Sequence, residues 1–254
     1  PGPSNLLEDS NSVIIFFKDL TDIIKVQKLK SDFVANVSHE LRTPLQSIKL
    51  GLETINNGHA AKDLESQKKI LPVVLQQTSR MENIVNDLLS LSRIELQEHI
   101  RPNEKVNLND IISHSIELHQ EILKKNNIEC QFERESKNIK INGDRNRLIE
   151  VFNNLIDNGI KYSEKNKKIT ITTKSENKNF LVTIKDQGIG ISKENIPQVT
   201  ERFFRVDPAK SKEVGGTGLG LAIVKHIVNQ HRAEMTISSE INKGTEISLN
   251  FPTI

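Results

Sequence analysis

The chain has 254 residues, 35% of them hydrophobic and 27% charged, with a formal net charge of +2. So even a balance of basic and acidic residues gives no electrostatic case for nucleic acid or for a membrane surface, and the single cysteine, Cys130, excludes an intramolecular disulfide. The longest unbroken apolar run, residues 13–17, is too short to cross a bilayer, no signal peptide is visible, and with no tryptophan the cores must be built from Ile, Leu and Val. In chain order, residues 12–22 come first, a β-branched and aromatic run. They read either as the last strand of an upstream domain or as the frayed start of the next helix.

From about residue 22 to 56 the apolar positions Val26, Leu29, Phe33, Val37, Leu41, Leu45, Ile48, Leu52 and Ile55 recur at steps of three and four. That is the helical period, and Asn57-Gly58-His59 ends it as a glycine beyond a helix should. A second run at Leu64, Leu71, Val74, Thr78, Met81, Val85, Leu88 and Ser92 fades near residue 98. Two long helices joined by a short loop predict an antiparallel hairpin. Its apolar stripe needs a partner, and a homodimer closed as a four-helix bundle supplies one. Pro44 and Pro72 fall inside these helices, where each removes a backbone hydrogen bond and favours a kink.

After Arg101-Pro102-Asn103 the period changes. The pattern predicts a strand over 106–108, a helix capped by Asn109 or Asp110 and running to about 125, and strands over 128–132 and 139–141. A strong helix over 144–162 and strands over 169–173 and 180–185 follow. Residues 188–216 are loop-rich, a helix covers 217–230, and strands over 235–238 and 246–251 close the series. The fold class is therefore α plus α/β, a helical hairpin followed by an α/β sandwich with one layer of helices on a mixed sheet.

Four groups of residues carry chemistry. His39 and Glu40 are adjacent and Thr43 lies one helical turn on, close enough to act on one phosphoryl group. A lone histidine on a helix is more often structural or solvated. Here Glu40 can accept the ring N–H, fix the tautomer and leave the other nitrogen nucleophilic. Thr43 either orients a water at a docking surface or bonds back to a helix carbonyl beside Pro44. Asn154, Asn158 and Lys161 share one helical face at i, i+4 and i+7. That is a solvated polar face, or an amide set suited to Mg²⁺ with a lysine for phosphate charge.

Two glycine runs follow. In Asp186-Gln187-Gly188-Ile189-Gly190, Asp186 ends a strand and can accept from an adenine amino group, although glycines here also suit a plain turn. The run Gly216-Thr217-Gly218-Leu219-Gly220 opens a predicted helix whose amides suit an anion, and it is neither a Walker loop nor a dinucleotide fingerprint. Between the runs, Glu201-Arg202-Phe203-Phe204-Arg205 reads as a hinge or docking surface or as a small local core, with Arg205 able to reach phosphates.

In their order these segments resemble the H, N, first glycine, F and second glycine boxes of sensor histidine kinases, over residues 29–251. The string Asn36-Val37-Ser38-His39-Glu40-Leu41-Arg42-Thr43-Pro44 resembles the H box. The segments 87–95, 200–207 and 222–226 look most like phosphate-regulon sensor kinases. Gln187 and Gly159 depart from the commoner asparagine and alanine. The resemblance implies a dimerisation and phosphotransfer hairpin joined to a domain of the Bergerat (GHKL) ATP-binding fold. Boundaries fall at 1–22 for a linker or the end of a PAS domain, 23–100 for the hairpin and 101–254 for the catalytic domain.

It also implies roles. His39 resembles the phosphoacceptor, Glu40 its activating base and Thr43 the residue that orients water for phosphatase action. Asn158 resembles the Mg²⁺ ligand. Asn154, Lys161 and Tyr162 would line the nucleotide site, Asp186 would read adenine beside Gly188 and Gly190, and Gly216, Thr217, Gly218, Leu219 and Gly220 would meet the phosphates with Arg205. The expected cofactors are ATP and Mg²⁺. The expected partners are a second copy of the chain and a separate response-regulator receiver domain, with no nucleic acid and no membrane contact. Such a chain would be the cytoplasmic portion of an inner-membrane-anchored bacterial sensor, with any anchor upstream. Two rivals are an ATPase of the same fold, which needs no His39, and a degenerate nucleotide-sensing dimerisation module, which needs neither Asn158 nor Asp186.

Overall fold

The computed structural model describes residues 19–57, 63–135, 139–176 and 178–253. The strand reading over 12–18 and most of the 57–63 loop lie outside them, whereas Thr21 and Asp22 are already helical. The chain divides into two compact units, one ending at His39 and the other running from Glu40 on. Helix α1 spans Thr21–Asn57, and Asp19 Oδ1 accepts from the Thr21 N–H at 2.8 Å at its start. In the first unit it carries His39 on an exposed position, with Phe33 and Val37 half-buried.

In the second unit, α2 spans Leu64–Leu96 and is capped by the Asp63 carboxylate, which accepts from the Glu65 N–H. Gly51 marks the close approach of α1 to α2, since a Cβ there would lie 2.6 Å from Val74 Cγ2. Among the described residues of α2 the buried ones are Ile84, Leu91 and Ile94, one position off the stripe read from the sequence. The reason is a second neighbour. The C-terminal half of α2 lies against a helix of the α/β layer, so α2 has two apolar faces and the period revealed one.

That layer contains β1 (Lys105–Asn107), α3 (Leu108–Leu118), α4 (Gln120–Lys125), β2 (Glu129–Glu133), β3 (Lys140–Asn142) and α5 (Arg145–Tyr162). It continues with β4 (Lys168–Glu176), β5 (Asn179–Lys185), α6 (Pro208–Glu213), α7 (Gly220–Gln230), β6 (Glu234–Glu240) and β7 (Gly244–Pro252). A five-stranded sheet runs β2-β4-β5-β7-β6, parallel between β2 and β4 and antiparallel elsewhere, while β1 and β3 form a separate pair. Alternate residues of β4, β5 and β7 are buried, including Ile169, Ile171, Phe180, Val182, Leu249 and Phe251. They face α5 and its neighbours α3 and α7, whose own buried stripes close the core.

Three sequence expectations need correction. The cap of α3 is Asn107, not Asn109 or Asp110: its side chain accepts from the Asn109 N–H, and the strand before it ends there. Asn109 is instead buried, accepting from Thr173 Oγ1 at 3.0 Å. The helix expected to reach 125 breaks at His119 into α3 and α4. Finally, α7 starts at Gly220 rather than 217, because Gly218 has φ of +76° and cannot sit in a right-handed helix.

Candidate active site

Beside α5 lies a cavity of about 510 Å³, lined from α2, α5, β5, β7 and the segment between β5 and α7. Of the residues singled out from sequence, Asn154, Asn158, Lys161, Tyr162, Asp186, Gly190, Arg205, Gly216, Thr217, Gly218 and Gly220 all line it. Helix α5 explains part of this. Its buried stripe, Leu148, Val151, Phe152, Leu155, Ile156 and Ile160, faces the sheet, so the adjoining Asn154–Asn158–Lys161 row turns to the cavity. Asp144 fixes the helix start, its Oδ1 accepting from Asn146 and Arg147.

Asp186 ends β5 with its Oδ1 accepting from the Gly188 N–H at 2.8 Å and the Thr245 N–H at 3.1 Å. Burial holds its carboxyl above the ordinary value, and these two amides offset only part of that rise. Oδ2 is then the oxygen that can take a ligand amino group. Gly188 is buried and holds Asp186 rather than lining the cavity itself. At Gly190, φ of +71° and a Cβ position 2.0 Å from the Glu240 carbonyl oxygen leave no residue but glycine.

The second glycine run folds against the Phe203 segment. The Phe203 N–H donates to the Gly218 carbonyl at 2.8 Å, and both residues have positive φ. Leu219 is fully buried ahead of α7, so it anchors the run without reaching the cavity. Phe203 and Phe204 are half-buried, and Phe204 lines the cavity. Lys161 Nζ is 2.6 Å from Asp157 Oδ2, so a ligand meets an ion pair there rather than the single cation the sequence suggested.

Glu40 has partners that the sequence did not suggest. Read beside His39, it suggested a base for the imidazole. In the structure its carboxylate is gripped by Arg205, with Nη1 to Oε1 at 3.2 Å and Nη2 to Oε2 at 2.9 Å, and Arg80 Nη2 is 3.4 Å from Oε2. The Arg205 and Glu40 side chains are 6% and 14% exposed, so the pair is both bidentate and shielded. Arg205 Nη2 also donates to the Thr217 carbonyl at 2.8 Å. Thr43 is exposed.

Sequence reasoning missed Asn83, Asn86 and Asp87, which bring α2 into the cavity wall, and Thr245 and Ile247 from β7. Asp87 was the detectable one, a carboxylate between apolar positions of an amphipathic helix. Among the described residues no group of three or more His, Cys, Asp or Glu side chains could hold a metal ion. No helix among them is long and apolar enough to cross a membrane.

Comparison with known proteins places this geometry. Residues 29–97 match the His Kinase A (phospho-acceptor) domain family, and residues 143–254 match the histidine kinase-, DNA gyrase B-, and HSP90-like ATPase family. The chain is 33% identical over 247 residues to the sensor-like histidine kinase SenX3 of Mycobacterium tuberculosis, covering 97% of this chain and 60% of that protein. It is 34% identical over 239 residues to the phosphate regulon sensor protein PhoR of Pseudomonas aeruginosa, covering 94% of this chain and 53% of that protein. The chain thus spans a little over half the length of these relatives. Histidine kinase AdeS of Acinetobacter baumannii matches in structure with a TM-score of 0.66 and 26% identity, over 84% of this chain and 97% of that one.

Proposed function

The chain belongs to the sensor histidine kinases, with a helical hairpin and an α/β part of the Bergerat fold, and we propose that it is an ATP-dependent autokinase. Residues 23–100 would form the dimerisation and phosphotransfer part and residues 101–254 the catalytic part of a cytoplasmic fragment. The observation that supports this most is the convergence of Asn158, Asp186 and the Gly216–Gly220 run on one cavity, in a chain that also carries His39. Asp186 would take the adenine amino group, and the glycine run and Arg205 the phosphates.

The donor set fits Mg²⁺. Asn158 offers an amide oxygen, and among the described residues no group of three or more His, Cys, Asp or Glu side chains forms a cage, which suits an ion that keeps waters and phosphate oxygens in its shell. When bound, the ion would neutralise phosphate charge.

A ring nitrogen of His39 would attack the γ-phosphorus. The bond to the β–γ bridging oxygen breaks, ADP leaves, and the ring proton passes to Glu40 once that carboxylate is released from Arg205. Positioning and charge neutralisation carry most of such a transfer. The phosphoryl group would then pass to an aspartate of a response-regulator receiver domain, the His39 N–P bond breaking as the O–P bond forms. Thr43 would hold a water for the reverse duty, hydrolysis of that acyl phosphate.

Incubation with γ-labelled ATP tests the reading. An acid-labile, base-stable label is expected on the parent chain, none on His39→Gln, and little on Asn158→Ala. The last should fold, since alanine is the better helix former. Thr43→Ala should keep the label while dephosphorylating the regulator more slowly. Full labelling of His39→Gln would remove the assignment, and parallel loss of both activities in Thr43→Ala would make that residue structural.

A further inference from the structure

Arg205 is not the hairpin's sole contact with the glycine-rich segment. Asp87 of α2 lines the same cavity, and its Oδ2 accepts from the Thr217 hydroxyl at 2.7 Å. The hydroxyl is the donor, because an ionised carboxylate oxygen only accepts, and Thr217 Oγ1 in turn accepts from the Leu219 N–H at 3.2 Å just ahead of α7. Thr217 gives its carbonyl to Arg205, and Arg205 grips Glu40. The relay Asp87–Thr217–Arg205–Glu40 therefore leaves α2, crosses the glycine-rich segment and returns to α1, where Arg80 of α2 also meets Glu40. Both Nη atoms of Arg205 are committed within it. Its Nε is left without a partner among the described residues, and the Nη groups that hold Glu40 and Thr217 turn to a nucleotide phosphate only when those two release them.

We propose that Asp87 is a positioning residue that holds Thr217, and through it Arg205, on the hairpin, so that Arg205 and Glu40 are withheld from phosphoryl transfer until α1 and α2 shift against each other. The burial that raises the Asp87 carboxyl accords with a partner that is a neutral hydroxyl. Because two of the four members sit on different helices of the hairpin, any sliding or rotation between those helices strains the relay at one end. The proposal rests on the autokinase reading for its effect on labelling, but not for its structural part.

The test uses the full 254-residue chain without nucleotide, following amide hydrogen exchange over residues 214–221. Asp87→Ala should speed exchange there roughly tenfold, as expected for losing one buried hydrogen bond that holds a local segment. Asp87→Asn should restore it, since the amide oxygen accepts from the same hydroxyl. The initial rate of His39 labelling should rise several-fold in Asp87→Ala and stay near the parent in Asp87→Asn. Unchanged exchange over 214–221, acceleration spread equally over β4 and β5, or labelling that does not rise overturns the proposal. Should Asp87→Ala fail to fold, Thr217→Val deletes the same bond from the other side and is read by exchange alone. A parent chain that takes no label at all counts against the autokinase reading and leaves the exchange result standing on its own.

Discussion

His231 shows how one side chain outside the cavity sets the geometry within it. It is 4% exposed, its Nδ1 lies 2.7 Å from the Ile227 carbonyl, and its Nε2 accepts from the Asp144 N–H at 2.9 Å. Both bonds need the neutral ring, protonated on Nδ1. Burial lowers its pKa, with the Ile227 carbonyl and the Asp144 carboxylate acting in the other direction. A depressed folded pKa means stability that is present above the ordinary histidine value of about 6.5 and lost as pH falls through the folded value. Protonation also takes the acceptor from Asp144, whose carboxylate caps α5 and so positions Asn154 and Asn158. Unfolding measured between about pH 7 and about pH 5 should show falling stability in the parent. His231→Gln should be less stable at the upper end but flatter, since its amide does not titrate. Equal slopes would show that another group governs acid loss.

At the scale of elements, the hairpin depends on a size match that periodicity cannot express. A Cβ at Gly51 would stand 2.6 Å from Val74 Cγ2 and 3.3 Å from Ile70 Cγ2. Alanine is the better helix former by about 1 kcal/mol, yet overpacking at a tight contact costs about 1–3 kcal/mol. Gly51→Ala should therefore lower stability, and Val74→Ala in the same chain should recover part of the loss. Additive effects in that double-mutant cycle would mean the two positions do not touch.

Most elements were legible in the sequence for the same reason this pair was not. The stripes of α1, α2 and α5 repeat locally and so did Asn154, Asn158 and Lys161, while Gly218 misled because a glycine run reads equally as helix start or turn. Asp186, Gly190, Gly216, Gly218 and Gly220 stood out in two short glycine runs and fell on one cavity, with Gly188 behind Asp186. The Glu40–Arg205 pair joins residues 165 positions apart, and Asp87–Thr217 joins residues 130 apart. Contacts of that range leave no periodic trace, and only the fold could reveal that the hairpin and the glycine-rich segment share a relay.

For the whole molecule, one question is what covers the hairpin. Ile84, Leu91 and Ile94 of α2 are buried, but Leu45, Leu52 and Leu71 of the sequence stripes remain 53%, 50% and 46% exposed, beside Leu75 at 66%. Covering a leucine left half open contributes on the order of 1 kcal/mol. A twofold partner doubles every such contact, whereas association costs several kcal/mol once. A second copy of the hairpin is the surface of matching length and polarity, and we expect a homodimer at micromolar concentration in sedimentation equilibrium. Leu45→Glu combined with Leu52→Glu should give a monomer, since two carboxylates per chain would be desolvated at the seam. That monomer should still bind an ATP analogue, because Asn158, Asp186 and the glycine run already converge on one cavity within a single chain. A parent chain that sediments as a monomer, or a double variant that remains dimeric, would place the dimer seam elsewhere than on these leucines.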